Sequence, residues 1–292
     1  MGRLAVLAVA VVLVVAGAGW RPPASGLIVF PAVATGQTTA QLYSIEPSGA
    51  GLRQLTTGTA AASAPALSPS GRRVAFALAG KGIYTMAADG TGLRRLTANG
   101  RDAAPAWSPT GRQLVFLRPV GQFWRLFVVR STGGAPVQVP LAASAGRPTW
   151  TGAGLLVPTG ADLLRLDPAS GRRLQDYHTR IDANLGPNGV AIAPDGRRLT
   201  FVGTRGASPG DDQQCGDGPC QYGLFLERFG ATTTAPKPIV AAAGPATFSP
   251  DGTRVAFVLD GAVTVRTLAG GAQVRLDTPG ITPLTSTPLA WR

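Results

Sequence analysis

One pattern returns along this 292-residue chain and limits what it can fold into. Its clearest copy runs from Pro245 to Phe257: a short apolar segment, the turn Ser249-Pro250-Asp251-Gly252, then Arg254-Val255-Ala256-Phe257. The same pattern stands at Pro65–Phe76 and Pro105–Phe116, more loosely at Val190–Phe201, and in worn form at Pro148–Val157. The large apolar residue before each turn marks the phase: Leu67, Trp107, Trp150, Ile192, Phe248 and Trp291. The intervals are 40, 43, 42, 56 and 43 residues. A repeat near 40 residues, built from alternating apolar runs and Gly/Pro turns, is the mark of a propeller or solenoid.

Each period holds four strand signals. In the first they are Pro65–Leu67, Val74–Phe76, Gly82–Met86 and, after an Asp89-Gly90 turn, Leu93–Thr97. Asp-Gly between two alternating runs is a strong hairpin signal. The long interval carries an insertion from Thr204 to Gln221. The ends complement each other: Pro288–Arg292 reads as a first strand alone, whereas Gly26–Phe30, Gln41–Ile45 and Leu52–Thr56 read as a second, third and fourth. The expected fold is all-β: a six-bladed β-propeller of four-stranded antiparallel blades over residues 26–292, closed by the C-terminal strand joining the N-terminal three. Closure removes the open sheet edges that invite aggregation.

The first residues are a separate segment. Arg3, the apolar run Leu4–Val15 and the small residues Ala16-Gly17-Ala18 form a signal-peptide pattern over residues 1–18. An uncleaved membrane anchor is the alternative, because the apolar run approaches the length that spans a bilayer. Residues 19–25 are then a linker. Cys215 and Cys220 are the chain's two cysteines. In an exported protein so close a pair reads as a disulfide; a metal site would need more ligands, and the single His178 is far away.

The resemblance lies in Ser-Pro-Asp-Gly-x-Arg-Val-Ala-Phe at residues 249–257, Ile83-Tyr84-Thr85-Met86 with Asp89-Gly90, and Leu93-Arg94-Arg95-Leu96-Thr97. These residues resemble the WD40-like (PD40) repeat of TolB-type β-propellers over nearly everything after residue 25. The likeness implies an exported, non-enzymatic module of the periplasm or cell envelope, without a cofactor, that binds a protein or envelope polymer. The N-terminal α/β domain of TolB has no counterpart in the segment before Gly26.

The formal net charge is +12, yet no run of basic residues occurs, so a specific nucleic-acid site is not indicated. In an antiparallel meander the first-to-second and third-to-fourth turns share one face of the disc. Arg72, Arg73, Arg94, Arg95, Arg112, Arg172, Arg173, Arg197, Arg198 and Arg254 follow such turns and define a candidate basic face for an anionic polymer or acidic protein. The competing reading gives these arginines to the repeat itself, their stems covering strand ends. The opposite face carries the variable loops, where Asp102, His178, Arg180, Asp182, Asp211 and Asp212 are candidate partner-binding residues or plain solvated surface. A monomer is expected, touching membrane only through an uncleaved N-terminal segment.

Catalytic patterns are weak. Gly206-Ala207-Ser208-Pro209-Gly210 matches the Gly-x-Ser-x-Gly spacing, but a nucleophile elbow requires a strand before it and a helix after it. The innermost strands offer Ala, Leu, Thr and Trp rather than carboxylates. A propeller hydrolase or lactonase with a metal in the central channel is therefore the alternative function, and three oxygen ligands converging there would be its signature.

Overall fold

The computed structural model describes residues 26–140, 146–159, 162–178, 190–205, 221–229, 238–241 and 243–292. The strands form six antiparallel sheets arranged as blades. From the axis outward, the first blade holds Ala62–Leu67, Arg73–Leu78, Gly82–Ala87 and Arg94–Arg95. The second holds Ala103–Trp107, Gln113–Val120, Phe123–Arg130 and Val137–Gln138. The third holds Thr149–Thr151, Gly154–Thr159, Asp162–Leu166 and Arg173–His178, and the fourth Ala191–Ile192, Arg198–Arg205, Gln221–Arg228 and Pro238–Ala241. The fifth holds Thr247–Phe248, Arg254–Leu259, Ala262–Thr267 and Gln273–Arg275.

The closing blade takes Ile28–Ala34, Gln41–Ile45 and Arg53–Gln54 from the start of the described chain. Its innermost strand comes from the other end, in two pieces. Trp291 and Ala290 pair with Ile28 and Val29, while Pro283, Thr282 and Ile281 pair with Ala32, Val33 and Ala34. The expected ring closure is thus present, with an earlier segment, Ile281–Pro283, helping to make it.

The core is divided among the blade joints. Six apolar clusters lie one between each pair of neighbouring blades. The two-residue period of each second strand builds them, since successive side chains point to opposite faces of a blade. Val74 and Phe76 face the closing blade, and Ala75 and Ala77 face the second blade. Leu114 and Phe116 turn back to the first blade, and Val115 and Leu117 go forward to the third. The repeat phenylalanines Phe30, Phe76, Phe116, Phe201 and Phe257 all point backward and are at most 1% exposed. Large residues on one blade face against smaller ones on the next interdigitate.

Outer edges are short: Arg53–Gln54, Arg94–Arg95 and Val137–Gln138 are two residues each. Short edge strands offer little template for pairing with another chain. The third blade departs from the expected layout. Gln175–His178 belongs to an edge strand, not to a loop, and His178 pairs with Asp162. The register shifts between Arg165, opposite Gln175, and Leu166, opposite Arg173, so Leu174 is passed over in the ladder. Tyr177 anchors it, with its ring 4.6 Å from that of Phe229 in the fourth blade.

Candidate functional site

The inner turns are built alike. Ser68 Oγ accepts from Arg73 N at 3.1 Å, and Gly71 N donates to Ser68 O at 2.8 Å. Ser108 and Ser249 repeat this arrangement with Gln113 and Arg254. The glycine that ends each turn has φ between 66° and 69°, at Gly71, Gly111, Gly196 and Gly252, where a side chain would be strained. Backbone bonds then tie this turn to the neighbouring third-to-fourth turn: Ala88 N to Arg72 O, Ser131 N to Arg112 O, Phe229 N to Arg197 O and Leu268 N to Thr253 O, all within 3.0 Å. The two kinds of turn therefore share one face of the disc.

The ten arginines expected on that face divide by occupation. Arg72, Arg112, Arg172 and Arg197 are exposed there. Arg173 is exposed and lies 3.6 Å from Asp176. Arg94 bridges to Thr132 O of the next blade. Arg95 turns away, donating to Lys81 O, Thr97 O and Ala98 O near the opposite face. The remaining three are wedges between blades. Arg73 lies over the Trp107 ring at 5.4 Å, Arg254 over Trp291 at 5.0 Å and Arg198 over Phe248 at 6.0 Å. In each case an arginine opening a second strand covers the marker aromatic of the following blade, a cation–π contact that also seals the joint.

Carboxylates on this face serve the turns. Asp167 accepts from Ser170 N and Oγ and from Ala169 N, and the Ser170 bonds hold its pKa below the usual range. Asp251 accepts from Ser249 Oγ and Thr253 N, which lowers it to about 2. These groups stay ionised and fixed, while the four exposed arginines reach into solvent.

Asp102 has a different occupation from the one expected of a variable loop. It is buried, and Arg118 Nε and Nη2 donate to its two carboxylate oxygens at 2.6 and 2.8 Å. The Arg118 guanidinium also lies over the Phe127 ring at 4.7 Å. This fork ties the entry of the second blade to its second strand, so the charge is spent within the fold. Asp102→Ala is expected to cost roughly 2 kcal/mol, between the ranges for surface and fully buried ion pairs. Urea denaturation checks this, and a loss under a few tenths of a kcal/mol would show the pair to be dispensable. The side chain of His178, together with Arg180, Asp182, Asp211, Asp212 and the pair Cys215 and Cys220, lies outside the described residues, as do residues 1–25.

One feature escaped the sequence reading. The Gln113–Val120 and Phe123–Arg130 strands are each eight residues, against six for their counterparts in the first blade. Their shared hairpin carries Val120, Phe123 and Trp124, all exposed. Phe123-Trp124 beside Gly121 was the signal for it. The central channel named in the sequence analysis is present. A cavity of about 550 Å³ is lined by innermost strands of all six blades, among them Ala66, Ala106, Trp150, Ile192, Thr247 and Ala290. Its charged side chains are Arg147, Arg165, Asp195 and Arg292. Among the described residues, no three His, Cys, Asp or Glu side chains are grouped to hold a metal ion.

The architecture defines a class: a six-bladed β-propeller with four-stranded antiparallel blades and a seam closed by both ends of the described chain. Solved structures share it. TolB from Acinetobacter baumannii matches with a TM-score of 0.67 and 16% identity, over 91% of this chain and 66% of that protein, so this chain spans just under two thirds of its length. The structure of putative TolB from Agrobacterium tumefaciens matches with a TM-score of 0.58 and 18% identity, over 90% of this chain and 92% of that one. The fold is that of a TolB-type propeller. No protein-family model matches the chain, and no curated protein matches its sequence.

Proposed function

We propose that this protein is an exported, non-enzymatic propeller that acts as a recognition scaffold outside the cytoplasm, binding a protein or an anionic envelope polymer. The observation that carries the reading is the set Arg72, Arg112, Arg172 and Arg197, exposed on one face and held by rigid turns. Fixed cations on a rigid surface attract polyanions over about a Debye length, roughly 8 Å at physiological salt. The propeller neighbours support a binding role, and the apolar run behind Arg3 supports export.

Retention on purified envelope material tests this. The native chain is expected to bind at low salt and to elute as salt rises. The quadruple variant with Arg72, Arg112, Arg172 and Arg197 changed to Gln is expected to lose most of that retention while keeping its fold. Equal retention of both would remove the basic face from the proposal. N-terminal sequencing of the mature protein tests export by cleavage, expected after residue 18.

A further inference from the structure

Among the described residues, the central channel contains a cation without an anion. Arg147 enters it from the third blade and crosses to the first, where Nη2 donates to Pro65 O at 2.8 Å. The residue as a whole is half-buried, but Nη1 has no contact with solvent and no hydrogen-bond acceptor. Burial pushes its pKa down to about 10. The one acidic side chain in the described lining, Asp195, already accepts from Arg198 Nε at 3.0 Å. Arg165 also lines the cavity, but its guanidinium turns to the outer strand of the third blade, where Nη1 donates to Gln175 Oε1 at 3.3 Å and the group lies 5.2 Å from the Tyr177 ring centroid. A charged donor shielded from water and without an acceptor is unfavourable, and an entering anion relieves that cost.

Arg147 also breaks the repeat. Three residues before the marker aromatic or aliphatic, the six blades have Ala64, Ala104, Arg147, Gly189, Pro245 and Pro288, so the third blade alone places a charged side chain there. Residues that serve a repeat recur in it. A long cation where the other blades have Ala, Gly or Pro, facing the shared cavity, answers to something other than blade formation.

We propose that the channel is a binding site for a carboxylate, held by the Arg147 guanidinium. The planar fork of arginine matches the two oxygens of a carboxylate. A monoanion suits the site better than a phosphate dianion, because Nη2 is already engaged by Pro65 and much of the remaining wall is Ala, Leu, Pro, Trp and Thr. The cavity volume falls within the range for small-molecule sites, and the half-buried Trp150 offers apolar surface for the body of the acid. The carboxylate belongs either to a free small acid or to the C-terminal residue of a peptide. The cavity reaches the first-to-second turns of the basic face, where Pro69, Pro109 and Asp195 line it; the two proposals are told apart because the Arg147 variants leave Arg72, Arg112, Arg172 and Arg197 unchanged.

The test uses the full chain at constant ionic strength, replacing sodium chloride stepwise with sodium acetate, N-acetylalanine or the uncharged N-acetylalanine amide. The thermal midpoint is expected to rise saturably with both acids and to stay fixed with the amide. N-acetylalanine binding more tightly than acetate identifies a chain end; equal binding identifies a small acid. Arg147→Gln is expected to fold, to be no less stable than the native chain in chloride, and to weaken acid binding at least about tenfold. Arg147→Lys keeps the charge without the fork, and calorimetry on it is expected to show intermediate affinity, which locates the site even where the Gln variant does not fold. No response of the native chain to either acid overturns the proposal. So does an equal response in the variants. A loss of stability in Arg147→Gln without any acid effect would make Arg147 a strut between blades.

Discussion

Deletion of residues 290–292 is expected to be the most damaging small change to this fold. It removes Trp291, which is 3% exposed and packs into the cluster between the fifth and closing blades. It also removes both closing registers at Ile28 and Val29 and the Leu27–Arg292 backbone bonds. The Arg254 guanidinium loses the ring it covers. Loss of a buried Trp alone costs about 3–5 kcal/mol. The deletion additionally bares the edge of Ile28–Ala34 along its inner half, leaving unpaired backbone groups in a region that was dry. The expected result is a chain that is unfolded or aggregates near its former midpoint. Trp291→Ala, which keeps the backbone bonds, should fall between the deletion and the native protein. A deletion variant with an unchanged urea midpoint would falsify the closed-ring account of stability.

Phe116→Ala is expected to cost about 3–5 kcal/mol, as for other fully buried aromatics. Its side chain is 0% exposed and fills the joint between the first and second blades. The Phe127 ring stacks beside it at 5.9 Å, and the Arg118 guanidinium sits 5.4 Å from its centroid. Truncation opens a cavity that blade-on-blade packing closes only in part, because each neighbouring sheet is fixed by its own ladder. Arg118 would lose support at the same time, so this change should couple to Asp102→Ala rather than add to it. Val137→Ala provides the control: Val137 is 68% exposed on an edge strand, and its loss should stay within about 0.5 kcal/mol. Equal midpoints for the two variants would mean that the joints do not carry the stability.

The propeller is legible in the amino-acid sequence because its information is local and repeated. Ser-Pro-x-Gly followed by Arg-Val-Ala-Phe gives a turn and a strand within a dozen residues, and the third strands begin within a residue or two of their expected starts. Ring closure follows from matching Pro288–Arg292 to the missing first strand, and the paired registers agree with it. The fate of individual charges is not legible in the same way. Asp102 has the look of a solvated loop residue because its partner, Arg118, lies on another strand, sixteen residues away. Arg95 has the look of a member of the basic face because its strand follows the right turn; only its side-chain direction takes it to Lys81 O and Ala98 O. The repeated pairing of Arg73 with Trp107 and Arg254 with Trp291 joins consecutive blades, which becomes visible only once the blades are side by side. Arg147 escapes for a simpler reason. It lies just upstream of the positions by which the inner strands align, and only the curvature of the ring brings it across to Pro65.

The seam between Ile28 and Trp291 also sets a timetable. A polypeptide emerging from synthesis or from a translocation pore presents its amino-terminal strands early, and they must wait for a partner more than 260 positions later. Until then five sectors stand in an open arc with a raw edge at each tip. Such long-range contacts slow folding. A chaperone that shields Ile28–Ala34 during that interval would protect its inner edge, which stays unpaired until the last dozen residues arrive although Gln41–Ile45 already covers the other.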